Sequence, residues 1–402
     1  MPRVVITGIG CITPLGAGLE MFRAGLEAGR DAIAPLDLFD VTGFRSGVAS
    51  RVGAIPRPAG VPQANWRRLD RCDRMALFAV DEALRSAGSV SLDAAALCCG
   101  LSTAGMFEAE QVLYGEPEHG LAAVGPRRML DAVVCSTTDV LLRHMGSHGP
   151  VITTSTACSS AANAIGQALD LIRDGDAEVA LAGGADALCR LTLAGFNSLG
   201  VVAPDRPRPF DARRSGMVLG EGAAFLLLES EEHLLARGGT PELELAGYAS
   251  TAEGHHIVHP VDSGDGALRA MSWALADANI QAASVDHVNA HGTATIQNDV
   301  MEATAIRRLL GDEADRVPVT ATKSLVGHSL GASGAIEAVA SLLTLRHGFV
   351  APTAGYGEPD PACSVDVVHG DARRGRFRTV LSNSFAFGGN DVSLVFRGWG
   401  AQ

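Results

Sequence analysis

The sequence predicts an α/β protein built from two similar halves, in which helices lie between the sheets as well as outside them. Residues 150–175 and 318–348 share one plan: a short β-branched run, a turn of small polar residues, a small-residue helix and a stop at glycine. Residues 178–184 and 379–389 then each read as a buried strand that runs into a glycine turn. A pseudo-twofold duplication of this kind would bring the turns containing Cys158 and His328 to equivalent positions that face each other.

The helices after these two turns consist of small and apolar residues, with hardly a charge in residues 159–169 and 329–336. Because a helix that is apolar on every side is buried, we expect both helices at the centre of a layered body. Residues 236–241 have the composition of a linker. We therefore predict one half at residues 1–238 and the other at residues 239–402.

Composition and charge exclude several classes of protein. Hydrophobic residues make up 47% of the 402 residues, but no apolar stretch approaches the about 18 residues that a membrane span needs. The first residues read as a buried strand and not as a secretory signal. The eight cysteines include no CxxC pair, which favours a reducing cytoplasm and buried thiols over disulfides. The formal net charge of −13 argues against nucleic acid or an anionic membrane as a partner.

Lys323 is the single lysine among the 32 lysine and arginine residues. Arginine carries a broad planar guanidinium, whereas lysine presents a compact ammonium on a slim stem. A narrow site that needs a point charge beside a reacting atom would retain a lysine, and Lys323 lies five residues before His328. Accidental retention in an arginine-rich protein is the alternative interpretation.

Cys158 lies where a predicted strand ends and a predicted helix begins. Backbone N–H groups and the helix dipole at such a position favour an anion, so we expect a lowered thiol pKa and a nucleophilic thiolate. The neighbours Thr156, Ala157, Ser159 and Ser160 are small enough to let an acyl group approach. We interpret the other seven cysteines as buried, inert thiols.

Two histidines occupy turns in the second half, and each has a neighbouring glycine that allows a bulky group to approach: His291 and His328. Residues 327–331 also match the G-x-S-x-G nucleophile elbow, which would make Ser329 an acyltransferase or hydrolase nucleophile with His347 or His369 as its base. No apolar strand directly precedes that motif, which weakens this alternative. The histidines in 255–259 and at 144 and 148 lack the cysteine or carboxylate pattern of a metal site.

Six short motifs together make the chain resemble the β-ketoacyl-carrier-protein synthases, or ketosynthases, of the thiolase superfamily. Their order and spacing cover essentially the whole chain: TACSS at 156–160, GGAD at 183–186, GMVLGEG at 216–222, HGTAT at 291–295, KSLVGH at 323–328 and NSFAFGG at 383–389. The resemblance implies a thiolase-like fold with five layers, αβαβα. It also implies an acyltransferase that elongates fatty acid or polyketide chains by decarboxylative condensation with a malonyl-carrier protein.

The resemblance assigns roles to the residues of these motifs. Cys158 would attack a carrier-bound thioester and hold the acyl group, with the backbone N–H groups of Cys158 and Phe385 forming the oxyanion hole. His291 and His328 would hydrogen-bond the thioester oxygen that becomes an enolate oxygen when carbon dioxide leaves. Lys323 would add positive potential and help to orient His328, and Phe385 would gate the change from loading to condensation.

Three further roles follow from the same resemblance. Glu302 would join the polar network of the two histidines. Thr293 and Thr295 would supply the hydroxyls that hold the phosphopantetheine arm of the carrier. Substrates would therefore arrive on an acyl carrier protein, and neither a resident cofactor nor a metal is expected.

The resemblance also implies partners. The family docks an acidic carrier protein where this chain has what we call the arginine patch: Arg67, Arg68, Arg127, Arg128 and Arg206. For any one of these arginines, a solvated surface position is the simpler interpretation. Ketosynthases are dimers, so we expect a homodimer or a heterodimer with a chain-length-factor-like subunit, with residues 101–145 contributing to the interface and the acyl pocket.

The chain departs from the family pattern at two turns. After the HGTAT motif it has Ile296-Gln-Asn298-Asp299 in place of Pro-x-Gly-Asp, and near the carboxyl terminus it has Ala386-Phe-Gly-Gly-Asn-Asp391 in place of Gly-Phe-Gly-Gly-Thr-Asn. These changes favour a specialised polyketide or polyene pathway over housekeeping fatty acid synthesis. A degradative thiolase would need a cysteine where Phe385 stands, and a non-catalytic chain-length factor would lack Cys158.

Overall fold

The strands of the protein follow the predicted pattern in both halves. The computed structural model describes residues 2–115 and 133–400, apart from the side chains of 113–115. The strands in this part of the chain are β1 (Val4–Thr13), β2 (Gly16–Ala17), β3 (Ile33–Pro35), β4 (Val48–Ser50), β5 (Ala96–Gly100), β6 (Val151–Thr154), β7 (Val179–Asp186), β8 (Gly222–Ser230), β9 (Leu243–Ala252), β10 (His287–Asn289), β11 (Pro318–Thr320), β12 (Phe349–Val350), β13 (Asp366–Val367), β14 (Arg373–Arg374), β15 (Thr379–Ala386) and β16 (Asn390–Gly398).

Helices connect and cover these strands. In the described residues they are α1 (Leu19–Glu27), α2 (Gln63–Trp66), α3 (Arg71–Ala87), α4 (Met106–Gly115), α5 (Ser136–Met145), α6 (Ser160–Arg173), α7 (Arg190–Ser198), α8 (Glu231–Ala236), α9 (Asp265–Asp277), α10 (Ile296–Leu310), α11 (Lys323–Val326) and α12 (Ser333–His347). Short 3₁₀ turns at Ala157–Ser159 and Leu330–Ala332 lead directly into α6 and α12.

The sheet topology confirms the duplication. The first half has the strand order β6-β5-β7-β8-β1, and the second half repeats it as β11-β10-β15-β16-β9. In each half the first three strands are parallel, and the fourth and fifth each run antiparallel to the strand before. The halves join through a short antiparallel pairing of β1 with β9, so the strands form one continuous sheet and not two separate ones.

The layers follow from which helices pack on which strands. Helix α3 covers β1 and β8 on one outer side, whereas α9 packs on β9 and β16 and against α10 on the other. Helices α6 and α12 contact each other between the half-sheets, as their small-residue sequences predict. Gly334 is needed for that contact, since a Cβ there would lie 2.8 Å from atoms of Ala162. The five-layered thiolase-like α/β fold is therefore confirmed.

Three other expectations concern the division of the chain into halves, the cysteines and membrane-spanning helices. Residues 237–242 connect α8 to β9, and the division of the chain at 238/239 remains a prediction. All eight cysteines are free, and the expectation of a buried thiol is wrong for Cys135, which is exposed. None of the helices within 2–115 and 133–400 is both long and apolar enough to cross a bilayer.

Candidate active site

The duplicated topology brings the carboxyl ends of equivalent strands to one place. Cys158 follows β6, and Lys323 and His328 follow the equivalent strand β11. His291 lies two residues beyond the end of β10, the neighbour of β11. All four side chains are buried, which makes their mutual contacts strong.

Cys158 lies at the inner end of a pocket, in the 3₁₀ turn before α6. Its exposed fraction is 6%, and its Sγ is 3.0 Å from Nε2 of His328. Ala157, immediately before it, has φ = 51°, a left-handed conformation that costs a non-glycine residue free energy and that the surroundings must enforce. The turn thus fixes the sulfur against the imidazole.

The expected lowering of the Cys158 pKa is wrong for the free protein. Burial raises the pKa of this thiol to about 12, and the nearby positive charge of Lys323 opposes that effect without overcoming it. A thiolate in a nearly dry site loses its hydration, and this cost exceeds the help of the helix start. Cys158 is therefore a neutral thiol in the free protein.

The hydrogen bonds of both histidines set their tautomers. The backbone N–H of Leu330 donates to Nδ1 of His328 at 3.3 Å, and the ammonium of Lys323 lies 3.2 Å from Nδ1 of His291. Since these donors point at Nδ1, each neutral ring carries its proton on Nε2. Burial, aided by the charge of Lys323, holds the pKa of both histidines well below its usual range. The site therefore presents two neutral N–H donors, on rings whose centroids are 5.6 Å apart.

Lys323 contacts His291 and not His328, which corrects the expectation from sequence. Its ammonium also forms a close ion pair with Glu337 of α12, and both side chains are buried. Burial raises the pKa of Glu337 to about 7 while the lysine charge lowers it. The sequence interpretation missed Glu337, although it is the sole acidic residue between 329 and 347, and such a charge in an otherwise apolar helix is a usable signal.

Glu302 supports the main chain of the histidine loop. Its carboxylate accepts hydrogen bonds from the backbone N–H groups of His291 and Gly292, both at 2.8 Å, and from the Asn383 side chain at 3.1 Å. Burial raises its pKa to about 7. Its link to the two imidazoles is therefore indirect, through the backbone that positions His291.

Phe387 occupies the place expected for Phe385. The backbone N–H of Phe387 is near enough to Cys158 to lower the pKa of its thiol, whereas Phe385 lies inside β15, paired with Asp391, with its ring 6.0 Å from that of His291. The ring of Phe387 is partly exposed and lies 5.8 Å from the ring of Phe196. The motif contains two phenylalanines, and sequence alone did not show which one follows the end of the strand.

The pocket runs from Cys158 to the surface. Thr293 and Thr295 line it and are buried, and their hydroxyls lie 3.0 Å apart. Ile296, at one of the departures from the family pattern, has an exposed fraction of 61% and marks the mouth. Asn298 also lines the pocket, and its side chain donates to Asp299. The pocket wall is therefore partly polar and partly apolar, and Cys158 is the one thiol among its lining residues.

The alternative sites gain no support. Ser329 Oγ is buried and has no hydrogen-bond partner in the described part of the chain, so no histidine there is placed to activate it. Within 2–115 and 133–400 no three histidine, cysteine or acidic side chains are grouped to hold a metal ion. Of the histidines once considered as ligands, His256 and His259 belong instead to the pocket wall.

The predicted surface residues are placed in part. Arg67, Arg68 and Arg206 are exposed, and Arg206 lies 3.8 Å from Asp31. Arg127 and Arg128 lie outside the described residues, as do residues 116–132 of the segment expected at the dimer interface.

A buried thiol in contact with one imidazole and close to a second, in the wall of a pocket of a five-layered α/β fold, defines a condensing acyltransferase. The family description "Beta-ketoacyl synthase, N-terminal domain" matches residues 1–233, and "Beta-ketoacyl synthase, C-terminal domain" matches residues 243–357. The chain belongs to the β-ketoacyl synthase family.

Individual relatives agree over the full length. The chain is 40% identical to a putative polyketide beta-ketoacyl synthase 1 of Streptomyces halstedii, over 98% of each chain. It is 37% identical to a 3-oxoacyl-[acyl-carrier-protein] synthase 2 of Synechocystis, also over 98% of each. Among solved structures, the ishigamide ketosynthase/chain length factor superposes with a TM-score of 0.93 at 35% identity, over 99% of this chain and all of that one. The predicted family, fold and type of enzyme are confirmed.

Proposed function

We propose that the protein joins an acyl group held on Cys158 to a malonyl group held on an acyl carrier protein, releasing carbon dioxide and a β-ketoacyl carrier. The observation that supports this most directly is the 3.0 Å contact between Cys158 Sγ and His328 Nε2, with the second imidazole beside it. A nucleophile alone would serve any acyl transfer. Two neutral N–H donors next to it suit the stabilisation of an enolate.

Loading begins when the Sγ of Cys158 attacks the carbonyl carbon of an acyl-pantetheine thioester. The sulfur proton leaves and ends on the departing pantetheine sulfur, so that the acyl group changes thioester partner without net redox change. The backbone N–H groups of Cys158 and Phe387 stabilise the negative oxygen of the tetrahedral intermediate. Phe387 replaces Phe385 in this role because its N–H is the one at the sulfur.

Condensation uses the two histidines. The Nε2–H groups of His291 and His328 donate to the thioester oxygen of the malonyl group. The bond between the α-carbon and the carboxylate carbon then breaks, and carbon dioxide leaves. The electron pair of that bond forms an enolate, whose negative charge lies on the thioester oxygen. The α-carbon then attacks the acyl carbonyl, and the carbon–sulfur bond breaks to release Cys158 as a thiolate, which takes up one proton from solvent. Removing one such donor typically costs about 2.7–4 kcal/mol of barrier.

The carrier is recognised at two levels. Thr293 and Thr295 contact the phosphopantetheine arm inside the pocket, because their neighbouring hydroxyls are polar groups of its wall in the loop that also carries His291. The arginine patch, of which Arg67, Arg68 and Arg206 are exposed, provides positive charge for an acidic carrier on a chain of net charge −13. The chain works as a homodimer or together with a chain-length-factor-like subunit.

The substrate belongs to a polyketide or polyene pathway. Ile296 and Asn298 stand at the pocket wall in place of the usual proline and glycine, and Ala386 restricts the backbone next to Phe387. These changes alter the channel and its gate and leave Cys158, His291 and His328 in place. Faster loading of unsaturated than of saturated acyl groups of equal length is the expected outcome, and equal rates would contradict this assignment.

The proposed function is tested by intact-mass measurement after incubation with a panel of acyl-carrier thioesters. The wild-type chain gains the mass of one acyl group and, with malonyl carrier added, returns to its free mass while a β-ketoacyl carrier appears. Cys158→Ala gains no acyl mass. Ser329→Ala behaves as the wild type, and an acyl adduct that depended on Ser329 would overturn the proposal.

A further inference from the structure

Asp391 is a buried carboxyl that the condensation chemistry does not use. It is 2% exposed, lines the pocket, and has an Oδ2 with no hydrogen-bond partner among the described residues. It stands at a departure from the family pattern, where an asparagine is usual. A buried polar atom of this kind carries a free-energy cost unless something satisfies it.

Glu253, which also lines the pocket, lies next to Asp391. A Cβ placed on Gly266, in the first turn of α9, would overlap both Asp391 Oδ2 and Glu253 Oε1, the latter at 2.9 Å. Both oxygens thus converge on one point above this glycine. The buried carboxyl of Asp391 and the half-buried carboxyl of Glu253 are therefore neighbours.

These carboxyls sit on two segments that are joined beside the active site. The backbone N–H of Glu253 donates to the carbonyl of Gly389 at 2.9 Å, and the N–H of Gly388 donates to the carbonyl of Ile257 at 2.8 Å. Residues 387–389, which we call the Phe387 loop, are therefore fastened to the segment 253–257. The same loop supplies the backbone N–H of Phe387, which lowers the pKa of the Cys158 thiol.

Two neighbouring carboxyls, of which one is buried, cannot both carry a full charge at low cost. With one proton between them, an O–H···O⁻ hydrogen bond forms, which is among the strong charge-assisted types. Without that proton, the same two groups repel each other. Loss of this one proton therefore changes the interaction between the two carboxyls from attraction to repulsion.

We propose that Asp391 and Glu253 share one proton and act as positioning residues that hold the Phe387 loop against Cys158, so that loss of this proton loosens the loop and slows acyl loading. This inference rests on the proposed function, because loading is the step that needs the N–H of Phe387. Neither residue touches the reacting atoms in this scheme.

The charges around the pair support one shared proton near neutral pH. Burial raises the pKa of Asp391 to about 8, with the negative charges of Glu253 and Glu302 adding to the effect and Arg269 opposing it. Burial also raises the pKa of Glu253, while a hydrogen bond from the backbone N–H of Val261 and the charges of His255 and Arg269 lower it. The proton is therefore held below about pH 8 and lost as the pH rises through that value.

The test measures the rate of Cys158 acylation by quenched intact-mass analysis between pH 7 and 9, for the wild type and for Asp391→Asn. The asparagine amide donates to Glu253 without a titrating proton, so the variant keeps the contact at every pH. With a pKa of about 8, a single titration leaves roughly a tenth of the wild type protonated at pH 9. The ratio of wild-type to variant rate is expected to fall about tenfold over this range.

A second variant, Glu253→Gln, places the amide donor on the other partner and is expected to show the same flattened profile. A wild-type to variant ratio that stays constant from pH 7 to 9 for both variants would overturn the inference. Failure of the wild type to acquire any acyl mass at any pH would instead reject the proposed function. Should one variant fail to fold, the other carries the comparison.

Discussion

Replacing Lys323 by methionine should separate the two steps of the reaction. Lys323 contacts Nδ1 of His291 and not His328 or Cys158. Without the ammonium, His291 is free to take its proton on Nδ1, and its Nε2 then points an acceptor lone pair at the enolate oxygen. A hydrogen bond from a charged donor is worth about 1.5–3 kcal/mol, which corresponds to roughly a ten- to hundredfold slower condensation. Loading of Cys158 should slow less, because Lys323 lowers the pKa of that thiol through its charge and without a hydrogen bond to the sulfur.

The assay follows both steps on one sample. Intact mass gives the rate of Cys158 acylation, and release of carbon dioxide from malonyl carrier gives the rate of condensation. A matched control is Lys323→Met/Glu337→Met, which also removes the buried carboxyl that the single variant leaves without its counter-ion. Replacing both members of a buried ion pair by apolar residues is often neutral for stability, so the double variant should fold well and still condense slowly.

The same experiment can refute the reasoning. If Lys323→Met slowed loading and condensation by the same factor, the lysine would act through Cys158 or His328, as the sequence alone suggested. If the double variant recovered full condensation, the loss in the single variant would reflect an unpaired Glu337 and not the tautomer of His291.

Two further predictions concern stability. Gly334→Val should lower the free energy of unfolding by about 1–3 kcal/mol or more, because the valine side chain would clash with Ala162 where the central helices touch. Urea titration measures this change. An unchanged midpoint would show that α6 and α12 can move apart. His287 is buried, neither ring nitrogen is bonded among the described residues, and burial lowers its pKa to about 3. As the pH falls below about 6.5, His287 therefore binds a proton in the unfolded chain but not in the folded chain. The free energy of unfolding declines by up to about 1.4 kcal/mol per pH unit. His287→Phe should make the loss of urea stability between pH 6.5 and 5 shallower, and an identical slope would contradict this account.

The sequence predicted the fold well because the duplication and the composition of the helices can be recognised in the amino-acid sequence itself. Two copies of a strand, turn and helix imply equivalent positions in space, and this placed Cys158 near His328 before any coordinates. The uncharged stretches after both turns placed α6 and α12 at the centre. The pairing of β1 with β9, which joins the halves into one sheet, involves no recognisable sequence signal.

The predictions from sequence were wrong for properties that depend on interatomic distances and on the local dielectric constant. The ammonium of Lys323 is near to His328 along the chain, yet it contacts His291, because α11 turns the backbone between them. The thiol of Cys158 lies at a helix start, but the loss of hydration outweighs the dipole, and only burial could reveal that. The choice between Phe385 and Phe387 depended on where β15 ends, and element ends are poorly determined by sequence.

The duplication also explains how one backbone plan serves two chemical roles. Ala157 and Leu330 are the first residues of the equivalent 3₁₀ turns, and both have left-handed φ values, 51° and 50°. In the first half this conformation presents the sulfur of the next residue, Cys158, to the pocket. In the second half it directs the N–H of Leu330 onto Nδ1 of His328, which fixes the proton on Nε2. The same strained turn therefore sets the nucleophile in one copy and the tautomer of its neighbouring donor in the other.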